Sequence, residues 1–241
     1  MKKLVAKVLM LGLMLLVGGC SESAPELTLS AIPEPVLEPV EDVASQTDFQ
    51  SPEAVVRVFL EGLRERSYAC MVATFPDEPL AVNEYVRAAI EAGAVLETTE
   101  EEIAHFILVL EGLTEYYQIP LEPSLFHSLE IIGFISPEAI FNSELFDFEP
   151  EVVRNLLENQ AEEMDAEQLV SNIALFTLEG EHFVLFLEVA DFDGDWRITR
   201  LGGTLYFFIG GFPGMRGVIP PEIADELLEE LDLETWPLYY E

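Results

Sequence analysis

The chain has 241 residues, half of them hydrophobic, with 11 basic and 46 acidic residues and a formal net charge of -35. That length and apolar content suit one globular body and exclude a disordered chain. The charge excludes nucleic acid as a partner, because such binding rests on basic residues that neutralise phosphates, and it disfavours electrostatic docking on anionic lipid.

The acidity is more extreme than the total implies. Lys2, Lys3 and Lys7 are the only lysines, and all lie at the extreme N-terminus. A solvated, self-repelling surface accounts for such a balance, and attraction of cations or basic partners is the functional alternative. The N-terminus itself reads Met1-Lys2-Lys3, an apolar run from Val8 to Val17, then Gly18-Gly19-Cys20. This is the charged, apolar and small-residue order of a secretory signal. The run is shorter than the ~20 residues that span a bilayer. Leu16-Val17-Gly18-Gly19-Cys20 resembles the lipobox of bacterial lipoproteins, with Val17 where Leu is commoner. The resemblance implies removal of residues 1–19, lipidation of Cys20, and a membrane anchor facing the extracytoplasmic side. Cys70, in an apolar helical setting, is then without a disulfide partner and reads as a small buried residue.

Residues 20–50 hold Pro25, Pro33, Pro35 and Pro39 and no basic residue. They read as a disordered tether, about 30 Å across as a coil and about 100 Å if fully extended. A globular α+β domain is expected over 51–241. Ser51-Pro52-Glu53 opens a helix as cap, first-turn proline and dipole-matched acid, with Val55, Val56, Phe59, Leu60 and Leu63 on one face. A short helix is expected from Tyr68 to Phe75 and another from Asn83 to Glu91. The spacing of Thr99 and Glu102 predicts a capping box for a helix towards Tyr117, with Ile103, Phe106, Ile107, Leu110 and Leu113 inward. Residues 119–149 show no clear period, apart from a turn of helix at Ser136-Pro137-Glu138. Pro150 begins a helix to about Met164.

The period then changes. Val170 to Leu178 and His182 to Phe192 read as strands joined at Glu179-Gly180. Asp193-Gly194 is a hairpin turn to a third strand, Asp195 to Leu201. Strand alternation puts Trp196, Ile198 and Arg200 on one face, with Arg197 and Thr199 on the other. Thr204 to Ile209 is expected to be a fourth strand. A glycine-rich loop at 210–217 follows, then a helix from Pro221 on Ile223, Leu227, Leu228 and Leu231. The expected architecture is helices packed on a small antiparallel sheet.

Ser51-Pro52-Glu53-Ala54-Val55-Val56, Phe59-Leu60-Glu61-Gly62-Leu63, Tyr68 and Phe75 resemble the opening helices of bacterial lipoproteins with a nuclear transport factor two-like domain. Asp193-Gly194-Asp195-Trp196-Arg197-Ile198 resembles the hairpin of such domains. The resemblance implies a cone-like sheet wrapped over helices, with a pocket between them. It carries no catalytic residue across, since one fold hosts many functions.

No signature for catalysis or a cofactor stands out. His105, His127 and His182 lack metal spacing and read as structural. Asp191, Asp193 and Asp195 alternate around Gly194 as calcium ligands do. The glycine falls at the fourth place of that run rather than the sixth, so a hairpin tip is the plainer reading and weak calcium binding the other. Gly210 to Gly217 lacks the lysine of a phosphate loop. It reads as a connector in which Arg216 is the one group able to grip an anion. The expected role is therefore a membrane-anchored, non-enzymatic binding or structural protein with its partner unspecified. The alternative is a small-ligand carrier or enzyme using the pocket of a cone-like fold.

Overall fold

The computed structural model describes residues 49–76, 98–122, 124–141, 148–211 and 213–230. Cys20, the proposed tether and the helix expected at Asn83 to Glu91 lie outside them. Helix α1 spans Pro52–Glu65, and Ser51 Oγ accepts from the Ala54 amide at 3.2 Å. It buries the five apolar residues that its period singled out. Helix α2, Tyr68–Val72, is shorter than expected and packs closely on α1 at Gly62, where a Cβ would lie 2.9 Å from Met71 Cγ. Helix α3 spans Thr99–Tyr116. Its capping box is one residue earlier than the spacing predicts: Thr98 Oγ1 and the Glu101 carboxylate each accept from the other's backbone amide at 3.2 Å.

A 3-10 turn, Leu125–Ser128, leads to β1, Glu130–Ile135, and α4, Pro137–Phe141. Helix α5 is Pro150–Glu163. Strands β2, Gln168–Leu178, β3, Glu181–Phe192, and β4, Asp195–Leu201, form consecutive hairpins. Both connecting turns place two residues at positive φ: Glu179 and Gly180 at 52° and 85°, Asp193 and Gly194 at 57° and 87°. That backbone matches the twist of the strands it joins. Helix α6, Thr204–Phe208, is followed by a second 3-10 turn, Pro213–Met215, then β5, Val218–Ile219, and α7, Pro221–Glu230. The sheet runs β1-β2-β3-β4, all antiparallel, and β5 pairs with β3 at Val184 and Leu185 beside the stretch that β4 occupies.

The sheet is apolar on both faces. Ala174, Phe176, Phe183, Leu185, Leu187 and Val189 point into a core with α1, α2 and α3. Ile173, Leu175, Val184, Phe186 and Ala190 point into a second core with α4, α5, α6 and α7. This double burial explains why β1 has no alternating pattern in the sequence: a strand covered on both sides reads as a plain apolar run.

Two expectations are corrected. Thr204 to Ile209 is helical rather than a fourth strand. Gly202 and Gly203 take φ of 95° and 91°, which ends β4, and the Glu188 carboxylate receives the Thr204 amide. Arg200 does not share a face with Trp196 and Ile198. A bulge leaves Thr199 without a partner in register, so Ile198 sits opposite Val189 while Arg200 sits opposite Glu188, on the other face. Arg197, opposite Ala190, lies on the other face from Trp196 and Ile198, as alternation predicts. It pairs with Asp195 at 2.7 Å, donates to the Ala73 carbonyl, and lies 4.9 Å from the centroid of the Phe49 ring.

Those Arg197 contacts show how the open edge of β4 is covered. The Trp196 amide donates to Phe49 O at 2.9 Å and the Ile198 amide to Thr74 O at 2.8 Å. Phe49 is 3% exposed and belongs to the first core, so packing begins ahead of the cap at Ser51. Phe49→Ala is expected to cost about 3–5 kcal/mol, the usual toll for emptying a buried aromatic site. Denaturant unfolding measures it, and a loss below about 1 kcal/mol would return the start of the body to Ser51.

Candidate functional site

Helix α3 has two faces. Ile103, Phe106, Leu110 and Leu113 are buried in the first core. On another side, Leu108, Glu111, Gly112 and Glu115 recur at i, i+3, i+4 and i+7, the spacing of a single helical face. With Leu121, Glu122, Leu125 and Phe126 from the following segment and Arg66 from the end of α1, they line a cleft of about 560 Å³. Leu125 and Phe126 are buried and form its apolar floor, whereas Leu108 is 63% and Leu121 51% exposed. Gly112 opens the wall: a Cβ there would meet nothing within 4 Å. Three carboxylates and one guanidinium give the cleft a net negative charge. Tyr68, beside it, has its phenol pushed above the ordinary value of 10.0 by burial and then by the Glu111 carboxylate, with Arg66 opposing.

The cleft was not legible as a site because its one apolar helix residue, Leu108, falls outside the inward stripe. The recurrence of Leu108, Glu111, Gly112 and Glu115 was the signal available.

A second polar feature crosses the face of the sheet under α5 and α6. Ser171, Glu188 and Arg200 are neighbours in register on β2, β3 and β4. Glu188 is fully buried. Its Oε1 accepts from the Thr204 amide at 2.5 Å, and Oε2 lies 3.5 Å from Arg200 Nε, an ion pair without a hydrogen bond. Ser171 Oγ beside it also has no hydrogen-bond partner among the described residues. Gly203 is required here, since a Cβ would lie 2.5 Å from Glu188 Cγ and Cδ. The arrangement ties α6 to the sheet.

A third feature pins the glycine-rich loop. Arg216, at φ 48°, donates through Nε to His105 Nδ1 at 3.0 Å and lies 3.9 Å from Glu102 Oε1. Its guanidinium is thus engaged with α3, which corrects the reading of a loose connector holding a free anion-gripping arginine. The same bond fixes the His105 proton on Nε2 in the neutral ring. Burial and the Arg216 charge hold the His105 pKa below its ordinary 6.5. Burial pushes Glu102 above 4.5, against the pull of Arg216 and of the Leu201 amide. At the far end of α3, burial and then Glu222 push Tyr117 up to about 12.

The remaining sequence candidates are dispersed. His127 is exposed on the first 3-10 turn, and His182 Nδ1 lies 3.1 Å from Asp225 on the surface. Cys70 is half-buried rather than buried. Asp191 Oδ1 accepts from the Gly194 amide at 2.7 Å, and Asp195 is taken up by Arg197 and the Phe49 amide. Asp191 is opposite Trp196 and Asp195 opposite Phe192, so the hairpin directs the two carboxylates to opposite faces, with Asp193 at the tip. Among the described residues, no group of three or more His, Cys, Asp or Glu is placed to hold a metal ion.

Comparison with protein-family models, with curated proteins and with solved structures finds no match to this chain.

Glu188→Ala is expected to cost about 2–3 kcal/mol, because it removes a charged acceptor from a buried amide. Glu188→Gln keeps that acceptor and loses only the attraction to half-exposed Arg200, a loss of no more than about 1 kcal/mol. Equal losses in denaturant unfolding would refute the assigned role of Oε1. For His105 the depressed pKa fixes the sign. The folded state favours the neutral ring, so its contribution is complete above 6.5 and is lost as pH falls from there through the folded value. His105→Asn supplies a non-titrating acceptor to Arg216. The variant should lose less stability than the wild type between about pH 7 and about pH 5. Glu102 acts in the opposite sense, since its raised pKa stabilises the fold on acidification, but it does so in both proteins and cancels in the comparison.

Proposed function

We propose that the chain is a lipid-anchored extracytoplasmic protein with a non-enzymatic binding or structural role. The observation that carries this reading is the N-terminal order of basic residues, apolar run and Leu16-Val17-Gly18-Gly19-Cys20. The stretch that follows is rich in proline and acids, a composition that extends a chain and is repelled by an anionic surface. Among the described residues no helix is long and apolar enough to cross a membrane. The open cleft on α3 supplies a place for a ligand or partner, and a cleft of this volume lies in the range of small-molecule sites.

A second reading, a carrier or enzyme of the cone-like kind, draws support from α1 and α2 packing on the sheet beside the Asp193-Gly194 hairpin. The buried polar row at Ser171 and Glu188 is where its chemistry would be sought.

Cys20→Ser removes the acylation site, and stable anchoring takes more than one acyl chain. The variant should leave the membrane fraction and fail to incorporate labelled palmitate, while the wild type stays bound and labelled. A variant retained on membranes like the wild type overturns the anchor.

A further inference from the structure

We infer that the α3 cleft is a binding site for a small amphiphilic amine, an ammonium group carried on an apolar or aromatic body of modest size. The inference rests on the binding role proposed above and names its ligand class.

Two independent properties of the cleft converge on this chemistry. Its floor, Leu125 and Phe126, and its exposed walls, Leu108 and Leu121, are apolar. Large aliphatic side chains left open to water around a concavity gain from being covered. Its polar groups are mostly carboxylates. Glu111 and Glu115 stand one turn apart on α3, where like charges repel, and Glu122 faces the same space with Arg66 as the one cation among the lining residues. A bound ammonium relieves that repulsion. Tyr68 lies close enough to this wall for the Glu111 carboxylate to add to burial in raising its phenol pKa, with Arg66 opposing. A carboxylate-bearing ligand would add to the repulsion, and a neutral apolar one would leave it in place. The volume of about 560 Å³ admits a molecule of small-ligand size.

Gly112 makes the inference testable without disturbing the core. It is exposed, and a side chain there projects into open space within the cleft. Gly112→Phe therefore fills the site while keeping α3 on the sheet. Phenethylamine is the probe, titrated against the full-length protein in phosphatidylcholine nanodiscs and read by saturation-transfer NMR. Partition into lipid is common to all variants and drops out of the comparison.

Wild-type protein should bind phenethylamine saturably, and Gly112→Phe should lose that component. Glu115→Gln with Glu122→Gln, both at exposed positions, should weaken it by at least about fivefold, the scale of one surface ion pair. Neutral 2-phenylethanol should bind about fivefold more weakly than the amine, and 3-phenylpropanoate should not compete. Unchanged binding in Gly112→Phe, or equal binding of amine and alcohol, overturns the inference. The Cys20→Ser fractionation is read separately, so failure of the ligand and failure of the anchor are distinguishable.

Discussion

The pairing of β2 with β3 is the constraint on which the molecule depends. These two long strands supply residues to both cores, and residues 183–190 of β3 are buried without a break. Every helix described here packs on one or other face of that ladder or on a helix that does. Burying both faces withdraws a large apolar area from water with few residues, but it leaves no tolerance for a register slip. A slip of β3 by one residue would send its side chains to the opposite cores and drive Glu188 into the layer of α1 and α3.

Such a ladder also sets the terms for its polar members. A carboxylate without exposure is costly unless its charge is paired or hydrogen-bonded. Glu188 meets that demand with the Thr204 amide and with Arg200, which reaches it because of the bulge at Thr199. Gly203 leaves room for the carboxylate, and the turn it forms starts α6. One buried acid thus dictates a bulge, a glycine and a helix start.

Much of this was legible in the residues, and the exceptions have physical causes. The two hairpins announce themselves through Glu179-Gly180 and Asp193-Gly194, because few residues tolerate the backbone those turns need. Helix α1 is clear from its cap and apolar spacing. Strand β1 is hidden because neither face is polar. Thr204 to Phe208 is rich in residues that favour strands, and local preference yields there to the carboxylate at its first amide. The face of Arg200 depends on a bulge for which the sequence carries no mark. The cleft is a different case: its spacing on α3 was present in the sequence, but the segment at 121–126 that completes it lay in the stretch without a period. The pairing of His105 with Arg216, far apart in the chain, has no local signal at all.

The cover on the β4 edge has a mechanical consequence. A pull applied at Phe49 would act on the outer edge of β4, since the Phe49 carbonyl holds the Trp196 amide and its ring lies against Arg197. Because Phe49 rests on the outermost strand, tension would peel it from the sheet one contact at a time instead of shearing the β2–β3 ladder. Its release would open the Trp196 amide and one contact of Asp195, while Thr74 continued to shield Ile198 from the other end of the edge. The first core would then lose one aromatic ring and keep the rest. Under such a load the contacts of Phe49 with β4 would give way before the strands that both cores share.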